Sequence, residues 1–231
     1  MASKIANLTV KEFFANKAAP KIVAVCGSQR IGSFNKMIHD YAMDVMKSHG
    51  ADVTPVDLAA LQLPLYNPEL EAEGFPAAAQ EFKNLLAESD GIFVATPEYN
   101  GFTSPLLLNS ITWATRGDGD MYAGFKGKMA TVMAASPGPA GGLRMIRSLN
   151  QMFQDMGSTV VPGVNAIGSA FKVFGKDGTI QDDVTKSKIE MTAGNLVHFC
   201  RFQANREYDC EIHHELHNLG EYGNVDLPDS K

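Results

Sequence analysis

With 231 residues, 45% of them hydrophobic and 20% charged, the chain can bury one full core and has the make-up of a water-soluble globular protein. Its net charge of −6 implies no broad basic surface and argues against nucleic acid as a partner. No apolar run is long enough to span a bilayer, so no membrane partner is expected, and the start of the chain lacks the continuous apolar core of a secretory signal.

In chain order, residues 1–20 read as a short amphipathic arm ending at Pro20. From Lys21 strands and helices alternate. Strands are expected at Lys21–Cys26, Ala51–Leu58, Gly91–Pro97, Lys128–Ser136 and Ser158–Ile167. Helices are expected at Ser33–His49, Pro76–Ser89, Ser104–Thr115, Gly142–Met156 and Asp182–Arg201. This alternation implies an α/β doubly wound parallel sheet with helices on both faces. In the first helix Phe34, Met37, Ile38, Tyr41, Val45 and Met46 recur at helical spacing, with Ser33 as N-cap and Gly50 as the residue after the C-cap. The body is thus expected to span 21–201. Beyond it, residues 202–231 are polar and acidic, a tail with a helix near Cys210–Leu219 that is either docked on a neighbouring subunit or partly disordered. Cys26, Cys200 and Cys210 form no disulfide framework, which suggests a reducing compartment, with the cytoplasm as default.

Three strand ends carry unusual loops. The first is GSQRIGSFN, Gly27 to Asn35, between a buried strand and a helix N-terminus. A helix N-terminus offers unpaired N–H groups and a positive dipole end to an anion. Gly27 and Gly32 permit close approach; Ser28, Ser33 and Asn35 can donate to phosphate oxygens; Arg30 adds a forked charge. The Lys of the nucleoside-triphosphate loop is missing, and G-x-G-x-x-G is absent, so a single phosphate monoester fits better. The second loop, PEYNGFTSP from Pro97 to Pro105, has an aromatic plate, a carboxylate and the turn-forming pair Asn100-Gly101. The third, SPGPAGGLR from Ser136 to Arg144, is glycine-rich before a helix. Each alone is also what an ordinary turn or connector looks like. Together, at the carboxyl edge of one sheet, they favour a ring-plus-phosphate ligand.

GSQRIGSFN, LPLYNPELE (Leu63–Glu71), PEYNG and SPGPAGGLR, in that order and spacing, resemble the NAD(P)H-dependent FMN reductase family, which includes quinone, azo-dye and chromate reductases. The resemblance covers roughly Lys21 to Arg201. It implies a flavodoxin-like, five-stranded sheet of order 2-1-3-4-5. It implies FMN as cofactor, with its phosphate on Ser28, Arg30, Ser33, Phe34 and Asn35. The ring would lie along Pro97, Glu98, Tyr99, Asn100 and Gly101, under Ser136, Gly138, Gly141 and Gly142. NAD(P)H would be a transient donor, and quinones, free flavin or similar small molecules the acceptors. No catalytic side chain is assigned, because the flavin carries the hydride chemistry. Trp113 and Arg116 match the family's helix and following loop, and a homodimer or homotetramer is implied. Phe102 stands where another aromatic is common, and both termini exceed the minimal form.

The alternative is a one-electron flavodoxin-type carrier, although its T-x-T-G-x-T turn is absent. A nicotinamide dehydrogenase with Asp57 on a ribose, and a redox-inactive scaffold, are weaker rivals. No metal site is expected. On a helix, Cys210, His213 and His217 would share a face suited to a transition metal, but a solvated tail is the simpler expectation.

Overall fold

Side chains of a strand alternate between its two faces, and here both faces are covered. The computed structural model describes residues 19–163, 165–175 and 177–218, with side chains described through residue 204. The strands are β1 (Lys21–Cys26), β2 (Asp52–Val56), β3 (Gly91–Ala95), β4 (Met129–Ala135), β5 (Thr159–Val160) and β6 (Ala166–Ile167). The helices are α1 (Phe34–Ser48), α2 (Pro68–Glu73), α3 (Ala77–Ala87), α4 (Pro105–Ala114), α5 (Leu143–Asp155), α6 (Ala170–Val173) and α7 (Asp183–Asn218).

All strand pairs are parallel, in the order β2-β1-β3-β4-β5, with β6 also on β4. Ile22, Ala24, Phe93, Ala95, Met129, Met133 and Ala135 turn to one face, where α1 and α7 cover them. Val23, Val25, Ile92, Val94, Ala130, Val132 and Ala134 turn to the other, under α3, α4 and α5. This two-sided burial explains why the strands read as unbroken apolar runs.

The flavodoxin-like arrangement and its strand order are as expected. Among the strands, the last one differs. The single strand anticipated at Ser158–Ile167 is two short pieces, β5 and β6. Val161 still donates to Ala130 (2.8 Å) and Ala134 to Asn165 (2.9 Å). Between them Pro162 has no N–H for the ladder, and the chain leaves the sheet around Pro162-Gly163. Sequence periodicity also missed α2 and α6, both under two turns long.

α1 follows its cap signals. Ser33 accepts from the Lys36 N–H (3.4 Å), and Gly50 sits at φ +80° beyond the C-cap His49. Its buried face comprises Asn35, Ile38, His39, Ala42, Val45 and Met46. The helix is therefore turned so that Phe34, Met37 and Tyr41 lie at the margin of the core. α7 buries Ile189, Ala193, Leu196, Val197 and Cys200 against the same face. It continues without a break past Arg201, so the change of composition there is not a helix end. Of the expected arm, residues 1–18 lie outside the described residues, as do 219–231 of the tail. Among the described residues no helix is long and apolar enough to cross a membrane.

Burial pushes the Cys200 thiol up to about 12 and raises that of Cys26. Both should therefore resist alkylation. In a Cys210→Ser variant, thiol titration is expected to read no fast-reacting cysteine until denaturant is added. Rapid labelling of the folded protein would show that the core opens easily.

Candidate active site

β1, β3 and β4 lie side by side, so the three loops leave the sheet at its carboxyl edge next to one another. The first loop begins in close contact with the second. Gly27 donates its N–H to Ala95 (2.9 Å), and a Cβ on Gly27 would stand 2.8 Å from Thr96 Cβ and 3.0 Å from Ser104 Oγ. Only glycine fits there. The loop then turns outward. Ser28 is half-buried, and its Oγ accepts from the Arg30 N–H at 3.4 Å. Ile31, at the tip, is 98% exposed. Ser33 is buried as the cap of α1, where the first N–H groups, of Phe34 and Asn35, have no partner within the helix.

Arg30 and Phe34 act together. The guanidinium lies 5.4 Å from the centroid of the Phe34 ring, which stacks on Phe174 at 5.5 Å and 27°. Arg30 is thus steadied at the loop surface without an acidic partner among the described residues. Asn35 differs from expectation. Its side chain is 4% exposed and turned inward, donating to the Ala135 carbonyl (3.1 Å) and accepting from the Ala135 N–H (2.9 Å). The amide that was expected to donate to a phosphate instead clamps α1 to the end of β4. Only its backbone N–H remains at the helix N-terminus.

The second loop is a tight hairpin. Tyr99 and Phe102 exchange both backbone bonds (2.8 and 3.0 Å), and Asn100 and Gly101 both adopt positive φ, 54° and 81°. Pro97 is half-buried, and Tyr99 is 50% exposed. Glu98 reaches sideways to the third loop. Its carboxylate accepts from Arg144 Nε (2.8 Å) and Nη2 (2.5 Å), and weakly from the Met145 N–H (3.4 Å). Its charge is therefore engaged at the start of α5, where the helix dipole favours an anion.

The third loop folds back on the strand after it. Ser136 donates its N–H to Ile167 (3.1 Å) and its hydroxyl to the Gly138 carbonyl (3.2 Å). Gly141 and Gly142 sit at φ 61° and 89°. A Cβ on Gly141 would meet the Ile167 backbone at 2.6 Å, and one on Gly142 would meet Ala134 Cβ at 2.6 Å. Gly138 is exposed above them.

The structure thus gathers every sequence-nominated site residue along one edge, and cross-bonds the loops through Gly27–Ala95, Asn35–Ala135 and Glu98–Arg144. Trp113 and Arg116 belong to a separate clasp. Trp113 is buried and donates to the Pro64 carbonyl (2.7 Å), while Arg116 lies 5.0 Å from the Tyr66 ring. Glu71 completes it, held below the usual carboxylate range by the Gly117 N–H and the Tyr66 hydroxyl. Asp57 is occupied too, its carboxylate accepting from Ala59 (2.9 Å) in its own turn rather than facing a ribose. A fourth wall escaped the sequence reading, residues 168–174, where Ser169 and Ala170 donate to Gly138 and Ser136 (3.1 and 3.0 Å). Its only sequence signal was Gly168, where an added Cβ would stand 2.8 Å from the Pro139 carbonyl carbon.

Among the described residues no group of three His, Cys, Asp or Glu is placed to hold a metal ion. The side chains of Cys210, His213, His214, Glu215 and His217 lie outside the described residues. Among the described residues, the donor set at the edge consists of hydroxyls, backbone N–H groups, glycine turns, and the Arg30 guanidinium, with the Arg144 guanidinium already on Glu98. Those groups match a phosphate monoester joined to a flat heteroaromatic ring.

Residues 20–172 match the family described as NADPH-dependent FMN reductase. The chain is 33% identical over 172 residues to an NAD(P)H-dependent FMN reductase of Pseudomonas aeruginosa, covering 74% of this chain and 89% of that one. It is 32% identical over 176 residues to an NAD(P)H:quinone oxidoreductase of Solanum tuberosum, covering 73% and 87%. A flavoenzyme NAD(P)H:(acceptor) oxidoreductase of Paracoccus denitrificans shares the fold, with a TM-score of 0.70 at 24% identity over 80% of this chain and 99% of that one.

Asn35→Ala should leave the Ala135 N–H and carbonyl unpaired in the core and lower stability by about 2–3 kcal/mol. Urea unfolding of the flavin-free protein measures this. A change below about 0.5 kcal/mol would mean the clamp is not formed in solution.

Proposed function

Because this chain belongs to the NADPH-dependent FMN reductase family, we propose that it is an FMN-dependent NAD(P)H oxidoreductase that passes a hydride to quinones, free flavin or similar small acceptors. The observation that carries the reading is the cross-bonded set of three loops at adjacent strand ends, one of them opening a helix N-terminus.

In this reading Ser28, Arg30 and Ser33 hold the FMN phosphate with the N–H groups of Phe34 and Asn35, and Phe34 keeps the guanidinium in place. Pro97, Glu98, Tyr99, Asn100 and Gly101 offer main-chain donors and acceptors along the ring edge. The Glu98 side chain acts indirectly, tying that hairpin to α5. Ser136, Gly138, Gly141 and Gly142 bound the ring from the other side, and the missing Cβ atoms of Gly141 and Gly142 let that loop pack down on Ile167 and Ala134. When bound, FMN supplies the two-electron chemistry that links donor to acceptor. Among the described residues neither Cys26 nor Glu98 is suited to act as general acid at this edge: burial raises the Cys26 thiol, so that it gives up its proton reluctantly, and the Glu98 carboxylate is occupied by Arg144. Protons for a reduced quinone come from solvent. A homodimer or homotetramer and a cytoplasmic setting belong to the same reading.

Protein reconstituted with FMN and desalted should keep its visible flavin absorption. Anaerobic NADPH or NADH should bleach it in one two-electron step. Arg30→Ala should weaken FMN binding by about 1.5–3 kcal/mol, measured by quenching of flavin fluorescence. Wild-type protein that retains no flavin at micromolar concentration would overturn the reading, and an unchanged affinity would remove Arg30 from the phosphate site.

A further inference from the structure

Residues 168–174 carry side chains that FMN binding does not employ. The segment is fastened at both ends. Ser169 and Ala170 bond to the third loop, and Phe174 is buried and stacks on Phe34 beside the first loop. It therefore forms the rim between the first and third loops. On that rim Phe171 is 59% exposed, costly for so large an apolar ring, and the Lys172 ammonium lies 6.0 Å from its centroid. Neighbouring carboxylates are engaged locally: Asp177 accepts from Thr179, and Asp182 from the Thr185 N–H (2.7 Å).

The rim thus holds two pairs of one aromatic ring and one cation. FMN has a single phosphate, and the first pair, Phe34 with Arg30, stands at the loop suited to it. The second pair, Phe171 with Lys172, fits a second ligand that carries both an aromatic base and a phosphate. Phe171 has only two side-chain torsions to fix on stacking. Lys172 has a flexible stem whose ammonium can leave the ring for an anion. On the proposed ring position, a dinucleotide donor led toward the first loop would carry its adenosine end past this rim.

We propose that Phe171 and Lys172 form the subsite for the adenosine end of the donor, Phe171 stacking on adenine and Lys172 pairing with the 2′-phosphate, so that NADPH is preferred to NADH. This rests on the reading of the edge as an FMN site served by a nicotinamide donor.

The test is steady-state kinetics with NADPH and with NADH, at a fixed quinone, on FMN-loaded wild type, Lys172→Ala, Lys172→Arg and Phe171→Ala, with FMN affinity measured on each. Lys172→Ala should lower kcat/KM for NADPH about tenfold relative to NADH, mainly through KM, and Lys172→Arg should restore the preference. Phe171→Ala should raise KM for both donors with FMN affinity retained. An unchanged NADPH/NADH ratio in Lys172→Ala, equal losses with both donors, or a Phe171→Ala effect confined to FMN affinity would each overturn the subsite. Wild type that binds FMN but oxidises neither donor would instead overturn the functional reading, and the subsite with it.

Discussion

The site depends on three strands, far apart in the chain, lying next to one another in the sheet. β1, β3 and β4 are adjacent although whole helices separate them in sequence. Parallel strands cannot be joined by short turns, so each pair needs a crossover helix. Each crossover returns the chain to the same edge, and all the loops that precede helices gather there. The apolar faces of β3 and β4, buried on both sides, hold this order in place. Without that burial the three loops would be unrelated turns.

At the edge, the loops hold one another as much as they present groups to a ligand. Gly27 admits the first loop against Thr96 and Ser104, where any side chain would collide. The Asn35 amide binds both backbone groups of Ala135, joining α1 to β4. The Glu98 carboxylate joins the hairpin to the N-terminus of α5. These are polar bonds in or near a low-dielectric interior, where leaving one partner unpaired is costly. They keep the backbone donors in a fixed arrangement before a ligand arrives, which reduces the ordering cost of binding.

Residue type alone could not separate these two kinds of work. Ser28, Ser33 and Asn35 look alike as hydrogen-bonding side chains in one loop. Burial divides them. Ser28 stays at the surface, Ser33 accepts the helix-cap bond and keeps its hydroxyl hydrogen to donate, and Asn35 spends its amide on Ala135. Glu98 similarly reads as a cleft carboxylate until its partner forty-six positions away is known. Arg30 is the reverse case, a charged side chain that remains at the loop surface, supported by an aromatic stack that runs to Phe174, distant in sequence but beside the same loop.

What the sequence determined by itself was local and periodic. The apolar runs of β1, β3 and β4, the cap at Ser33, the turn at Asn100-Gly101 and the glycines before α5 follow from backbone sterics and helix-end hydrogen bonding, which act within a few residues. They were enough to specify the sheet class and to place the three loops together at its carboxyl edge. Tertiary structure alone decided the rest: the division of the last strand at Pro162, the inward turn of Asn35, the Glu98–Arg144 tie, and the wall of residues 168–174 with Phe171 and Lys172. Each of these depends on a partner distant in sequence, and which groups meet across the sheet is settled only when both of its faces are packed.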